Sequence, residues 1–223
     1  MHQILTEIPG RVLENATYAL TQANMHAVFS DPGNEHWGNM SVLNAAHAGE
    51  LFLKAIVATE HPLLIFKNIF DFGDNSSTEI SLERLLQKAK THDLQHLPKI
   101  LWAVKGERIP DMDSFERIRS MRNAIQHFYH PAGFDNYGEA ARDASLKLIY
   151  NIIDPLINKY FGLCAIEFHE DHSIGYDYVV ATLLRRALKF NVPNDFHVGE
   201  IDIMEECKNT PKSYKDWVVS KLL

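Results

Sequence analysis

The chain has 223 residues, a formal net charge of −7 and two cysteines, Cys164 and Cys207. That length can bury a proper core without staples, and two cysteines make neither a disulfide framework nor a zinc site, which points to a reducing, cytoplasmic setting. The charge excludes a protein that coats nucleic acid through its overall field, because displacing counterions takes a basic surface; any nucleic-acid contact has to be local.

The opening stretch, MHQILTEIPGRVLENA, lacks the basic-then-apolar layout of a signal peptide. No apolar run approaches the ~20 residues of a membrane span, so a soluble chain without a membrane partner is expected. A first helix is predicted over RVLENATYALTQANMHAVFS (11–30), stopped by Asp31-Pro32-Gly33. NMSVLNAAHAGELFLKAIVATEH (39–61) reads as a long second helix, with Ser41 as candidate cap and Pro62 closing it. LLIFKNIFDFGDNSS (63–77) is a short apolar piece and a polar loop of ambiguous type. SLERLLQKAKTH (81–92) and LPKILWAVKG (97–106) are predicted as short helices joined by a turn.

The next helix carries FERIRSMRNAIQHFYHPAG (115–133), opened by Asp113 and Glu116 in capping-box spacing and stopped at His130-Pro131. NYGEAARDASLKLIYNIIDPLINKYFG (136–162) reads as another long helix, with a kink expected at Pro155. The pattern weakens from Cys164 onward, where YDYVVATLLRRALKF (176–190) and KSYKDWVVSKLL (212–223) are predicted helical and the residues between them hold short strands or none. The expected architecture is all-α: a helical bundle over 1–163 and a C-terminal accessory segment, mostly helical, over 164–223. Arg185 and Arg186 would give that segment local positive charge or a solvated helix face.

Twelve histidines are present, and the pairs His92/His96 and His169/His172 have metal-compatible spacing. Neither pair has a third ligand beside it, so no metal and no cofactor is expected.

At about 100° per residue, Ile118, Met121, Ala124, Ile125 and Phe128 fall within a sector of roughly 120°, the width of a face packed into a bundle. Arg119, Arg122, Asn123, Gln126, His127 and His130 lie on the other side, and Arg117 fits neither. Arg122 and His127 diverge by roughly 140° and flank a polar strip, which makes sense if a second copy of the helix or a strand of RNA occupies it. On the second helix His47, Glu50 and Lys54 form a polar stripe, with Asn44 one turn earlier. The stripe is either an exposed Glu50–Lys54 pair at i,i+4, which would add a few tenths of a kcal/mol, or a second wall of the same cleft.

The motif MRNAIQH (121–127) resembles the signature of the HEPN superfamily, an Arg followed after four to six residues by His, with a polar residue directly after the Arg. HAGELFLKAI (47–56) is similar to the earlier helix of those domains, where Glu and Lys commonly sit four apart. The resemblance spans roughly residues 10–163. It implies a metal-independent endoribonuclease cleaving single-stranded RNA, working as a homodimer, as the toxin or effector of a bacterial toxin–antitoxin or antiviral defence system. Arg122 would clamp the phosphate, His127 would act as base or position the hydroxyl, and Asn123 would orient either. Gln126, His130, Arg119, Glu50, Lys54 and His47 would bind substrate or support. The family also contains non-catalytic dimerisation modules that partner a nucleotidyltransferase or sensor protein, which is the alternative.

Overall fold

A computed structural model describes residues 3–29, 31, 33–34, 36–68, 85, 89–127, 137–169 and 175–223. All regular structure among them is helical, apart from one isolated antiparallel bridge between Phe66 and Thr91, and the protein is all-α. No helix among these residues is long and apolar enough to cross a membrane.

Helix α1 (Gln3–Val28) packs along α2 (Trp37–Ala58), whose buried face includes Ala45, Gly49, Phe52 and Ile56. α1 starts eight residues before the predicted start, passing through Pro9-Gly10. Proline forfeits one bond to the carbonyl four residues back, but Leu5 is 3% exposed, and its burial holds the first turns to the core. Ser41 is not the cap of α2. The helix begins at Trp37, and the Ser41 hydroxyl lies inside it, donating to the Gly38 carbonyl (2.8 Å) and meeting Ser145 Oγ (3.1 Å).

A 3-10 turn, Pro62–Ile65, follows α2, and a second, Leu94–His96, leads into α3 (Leu97–Lys105), which ends on left-handed Gly106. The helix predicted over 81–92 falls mostly outside the described residues. α4 (Met112–His127) is opened by Asp111, not by the Asp113/Glu116 box: Asp111 accepts from the Ser114 amide (3.0 Å) and hydroxyl (2.7 Å). Glu116 instead turns to Arg119.

α5 (Tyr137–Leu148) continues through a π-helical turn (Ile149–Ile153) into α6 (Asp154–Phe161). The predicted kink at Pro155 is met by that turn: the Asp154 amide bonds to the Ile149 carbonyl, so the change of register falls just before the residue that has no N–H to give. α5 runs parallel to α2, with Ser145 on Ser41 and Leu148 and Ile153 against Gly49. α4 packs against both, with Asp111 just before it meeting Asn151 beyond the end of α5 (3.0 Å) and Arg122 meeting Glu50 of α2 (3.3 Å).

The C-terminal segment holds α7 (Asp177–Arg185), α8 (Ile203–Glu206) and α9 (Lys212–Leu222), with no strand among the described residues. One hydrophobic core runs across residue 163 without interruption, from Leu20, Phe52 and Leu148 to Ile166, Leu183 and Val218. Polar clasps reinforce it. Buried Asn24 donates to the carbonyls of Ala165 (2.9 Å) and Phe168 (2.7 Å) and accepts from Tyr150 (2.9 Å). Buried Asp154 accepts from the amides of Ala165 and Asn191 (both 2.7 Å) and from the Asn191 side chain (2.9 Å). Arg186 pairs with Glu139 (2.7 Å) and Arg185 with Glu206, so neither arginine stands as unpaired positive charge.

Candidate functional site

Three elements meet around the motif: α2, α4 and the Lys90–His96 stretch. That stretch is held by the bridge between Phe66 and Thr91, with the Lys67 amide on Lys90 O (2.8 Å) and the His92 amide on Ile65 O (2.9 Å). It covers one side of the α2 stripe. The Lys54 ammonium, 5% exposed as a residue, donates to Glu50 Oε1 (2.6 Å) and Thr91 Oγ1 (2.9 Å). The other Glu50 oxygen faces the Arg122 guanidinium across the helix pair at 3.3 Å. Side-chain exposures of 6% for Lys54, 15% for Glu50 and 25% for Arg122 make this a largely buried triad, so the exposed i,i+4 pair is excluded.

The sequence-based wheel places Arg122 opposite the apolar face, and the structure corrects this. The buried residues of α4 are Ser114, Phe115 and Ile118, while Met121, Ala124 and Ile125 are only partly covered. Phe115 and Ile118 lie roughly 20° and 40° around the helix from Arg122, one on each side of it, so Arg122 points along the inward edge toward α2. Phe128 and His130 lie outside the described residues.

Between α4 and the Asp93–Gln95 turn opens a cleft of about 690 Å³. Arg119, Arg122, Asn123, Gln126 and His127 line its helical side. The two ends of the motif therefore share one cleft, with Asn123 and Gln126 between them. Asn123, Gln126 and His127 are exposed, whereas Arg119 is tied to Glu116 (2.6 Å). Asp93 on the facing wall is itself paired with Lys67 (2.6 Å), which holds its carboxyl below the usual range.

His47 is exposed, one turn before Glu50 on the same stripe. Burial of part of its ring pushes its pKa below the ordinary value; Arg122 and Lys54 push the same way, and Glu50 opposes them. Asn44 faces inward to His26 (3.3 Å) instead of the cleft. Thr91 and the Asp93–Gln95 wall were not expected from the sequence, because what brings them to α2 is a single backbone bridge to Phe66. His92 and His96 are near enough to interact, and among the described residues no group of three or more His, Cys, Asp or Glu could hold a metal ion.

The arrangement suits an oxyanion. Two cations share one carboxylate, so the triad carries an excess positive charge, and it sits where low exposure strengthens its field. Arg122 meets no acceptor other than Glu50 among the described residues, which leaves N–H groups of the fork for a second partner. No family model, curated protein or solved structure matches the chain.

Proposed function

We propose that the chain is a metal-independent endoribonuclease of the HEPN type, cutting single-stranded RNA at the α4 cleft by attack of the ribose 2′-hydroxyl. The observation that carries the reading is the charge excess of the Arg122–Glu50–Lys54 triad, whose Arg122 lines a cleft that also holds His127. In-line transesterification needs a grip on the nonbridging phosphate oxygens and a group that moves protons near neutral pH. A fork-shaped guanidinium supplies the first and an imidazole the second. Asn123 and Gln126 stand between them to orient the ribose and the phosphate. A second copy of the chain completes the polar strip as a homodimer, and an antitoxin or sensor protein would restrain the activity.

The test is cleavage of a single-stranded oligoribonucleotide in excess chelator. The expected result is a 2′,3′-cyclic phosphate product, no cleavage of the matching DNA, and a loss of ~10²–10⁴-fold in His127→Ala. Arg122→Lys keeps the charge but loses the fork and should also be damaging. Full activity in His127→Ala, or in Arg122→Ala, overturns the reading.

A second reading has its own observation: Arg122 already rests on Glu50, and the chain is acidic overall, as suits a non-catalytic helical module that pairs with a nucleotidyltransferase or sensor protein. That module would dimerise, show no cleavage at any protein concentration, and leave growth unaffected when expressed.

A further inference from the structure

An RNA strand extends beyond the bond that is cut, and on an acidic chain the nucleotides beside the cleft need local contacts of their own. The Asp93–Gln95 wall of the cleft leads without a break into α3. Leu97 and Leu101 turn that helix to the core, so its outer side carries Lys99, Trp102 and Ala103, all exposed. Gln95, Lys99 and Trp102 follow one another at one-turn spacing. They form a stripe that starts on the cleft wall and ends roughly 10–12 Å from it.

A packing role does not account for Trp102. Trp37 donates its indole N–H to the Phe29 carbonyl (3.0 Å) and rests on His26, and Trp217 packs against Phe190 and Tyr214. Trp102 is 53% exposed, and among the described residues its ring meets neither another ring nor a hydrogen-bond acceptor. What it does meet is a cation: the Arg108 guanidinium lies over the ring, 5.6 Å from its centroid. Arg108 and Lys99 are both exposed, and neither is paired with a carboxylate among the described residues. Lys105 of the same helix, by contrast, pairs with Glu60, and Lys159 with Glu107.

We propose that this stripe is a subsite for the single-stranded RNA that runs out of the cleft, with a base stacked on Trp102 and the phosphates beside it held by Lys99 and Arg108. The inference rests on the nuclease reading for the strand that occupies the cleft. An indole accepts any base, since every base has a π face, and the two unpaired cations supply the countercharge that the chain as a whole lacks. Stacking on a side chain takes a base that is free of a partner strand, so the stripe favours single-stranded over duplex RNA.

Two measurements test this. The first is cleavage of a dinucleotide, too short to reach Trp102, beside a longer single-stranded oligoribonucleotide. Trp102→Ala should leave kcat/KM on the dinucleotide at the wild-type value and lower it on the longer substrate about 5–150-fold, the range of one base–aromatic stack, with Trp102→Phe keeping most of the rate. The second is binding of the longer sequence carrying 2′-O-methyl groups throughout, which has no hydroxyl to attack. It should quench tryptophan fluorescence in wild type and not in Trp102→Phe, and Lys99→Gln and Arg108→Gln should each flatten the log–log dependence of affinity on salt by about 0.7. Melting temperatures should match wild type, because all three side chains are exposed. The inference is overturned if Trp102→Ala keeps wild-type kcat/KM on the longer substrate and wild-type affinity for the methylated strand, or if it slows both lengths equally. Wild-type protein that cleaves neither length yet binds the methylated strand through Trp102 removes the nuclease reading and keeps the subsite, whereas protein that neither cleaves nor binds removes both.

Discussion

Replacing Glu50 by Gln leaves Lys54 and Arg122 beside one another with no anion between them. Lys54 is the costly half, since its side chain is 6% exposed and only neutral acceptors, the new amide oxygen and Thr91 Oγ1, are left to it. Removing one partner of a fully buried pair costs about 3–5 kcal/mol, and the 25% exposure of Arg122 lets water relieve part of that, giving ~2–4 kcal/mol here. For a domain of this size the loss corresponds to a fall of roughly 5–12 °C in melting temperature. Lys54→Met behaves differently, because it leaves Glu50 and Arg122 as a neutral one-to-one pair and fills similar volume, at a cost of about 1 kcal/mol or less. The asymmetry is the signature of a triad with surplus positive charge. Urea unfolding followed by far-UV circular dichroism measures both variants. Added phosphate should narrow the gap by occupying the cleft of Glu50→Gln. If Lys54→Met loses as much stability as Glu50→Gln, the triad is not over-charged and the argument for an oxyanion site fails.

Burial raises the Asp154 carboxyl from 3.8 to about 6 against the pull of three N–H donors, so its protonated form is favoured by folding. Stability should therefore fall by up to about 3 kcal/mol as pH rises from 4 to 6 and level off above, and Asp154→Asn should abolish that slope in urea titrations. A Cβ on Gly38 would meet the Gly138 Cα at 3.1 Å and the Ala141 Cβ at 3.3 Å, whereas one on Gly138 meets nothing within 4 Å. Gly38→Val should cost about 2–3 kcal/mol and Gly138→Ala should gain up to about 1 kcal/mol, both read by calorimetry. Ala187, after α7, has φ of 54°, where a Cβ crowds the following carbonyl, so Ala187→Gly should raise the urea midpoint by the equivalent of ~0.5–1 kcal/mol.

The existence of the bundle helices was legible because each repeats its apolar residues at helical spacing over several turns, and α2 adds a nearly continuous apolar circumference from Ala45 to Ala58. Their ends were less legible. Pro9-Gly10 is a local stop signal that the burial of Leu5 overrides, and Ser41 has a cap's chemistry but is used inside the helix to bridge to Ser145. The membership of the cleft was legible from side-chain type, but its orientation was not. The wheel was centred on Met121 and Ala124, which turn out half-covered, while Phe115 and Ile118, the most buried residues of α4, lie on either side of Arg122. Helical spacing fixes which residues share a side and leaves open which of two neighbouring sides meets the core. The burial of Lys54 depends on Thr91, 37 residues away, and no local pattern contains it.

The π turn between α5 and α6 makes this stretch unusually tolerant of the loss of one residue. It houses one residue beyond α-helical count, so deleting a single residue there lets the backbone heal into an unbroken α-helix. The flanks would keep their phase, because the turn had taken up the extra residue locally, whereas the same deletion inside α5 would swing everything after it by about 100°. After such a swing Tyr150, which reaches Asn24, and Asp154, which holds Asn191, would no longer face their partners. A deletion scan should yield protease-resistant chains from residues 149–153, and from residues 140–147 chains with normal helix content whose last sixty residues are released to proteases.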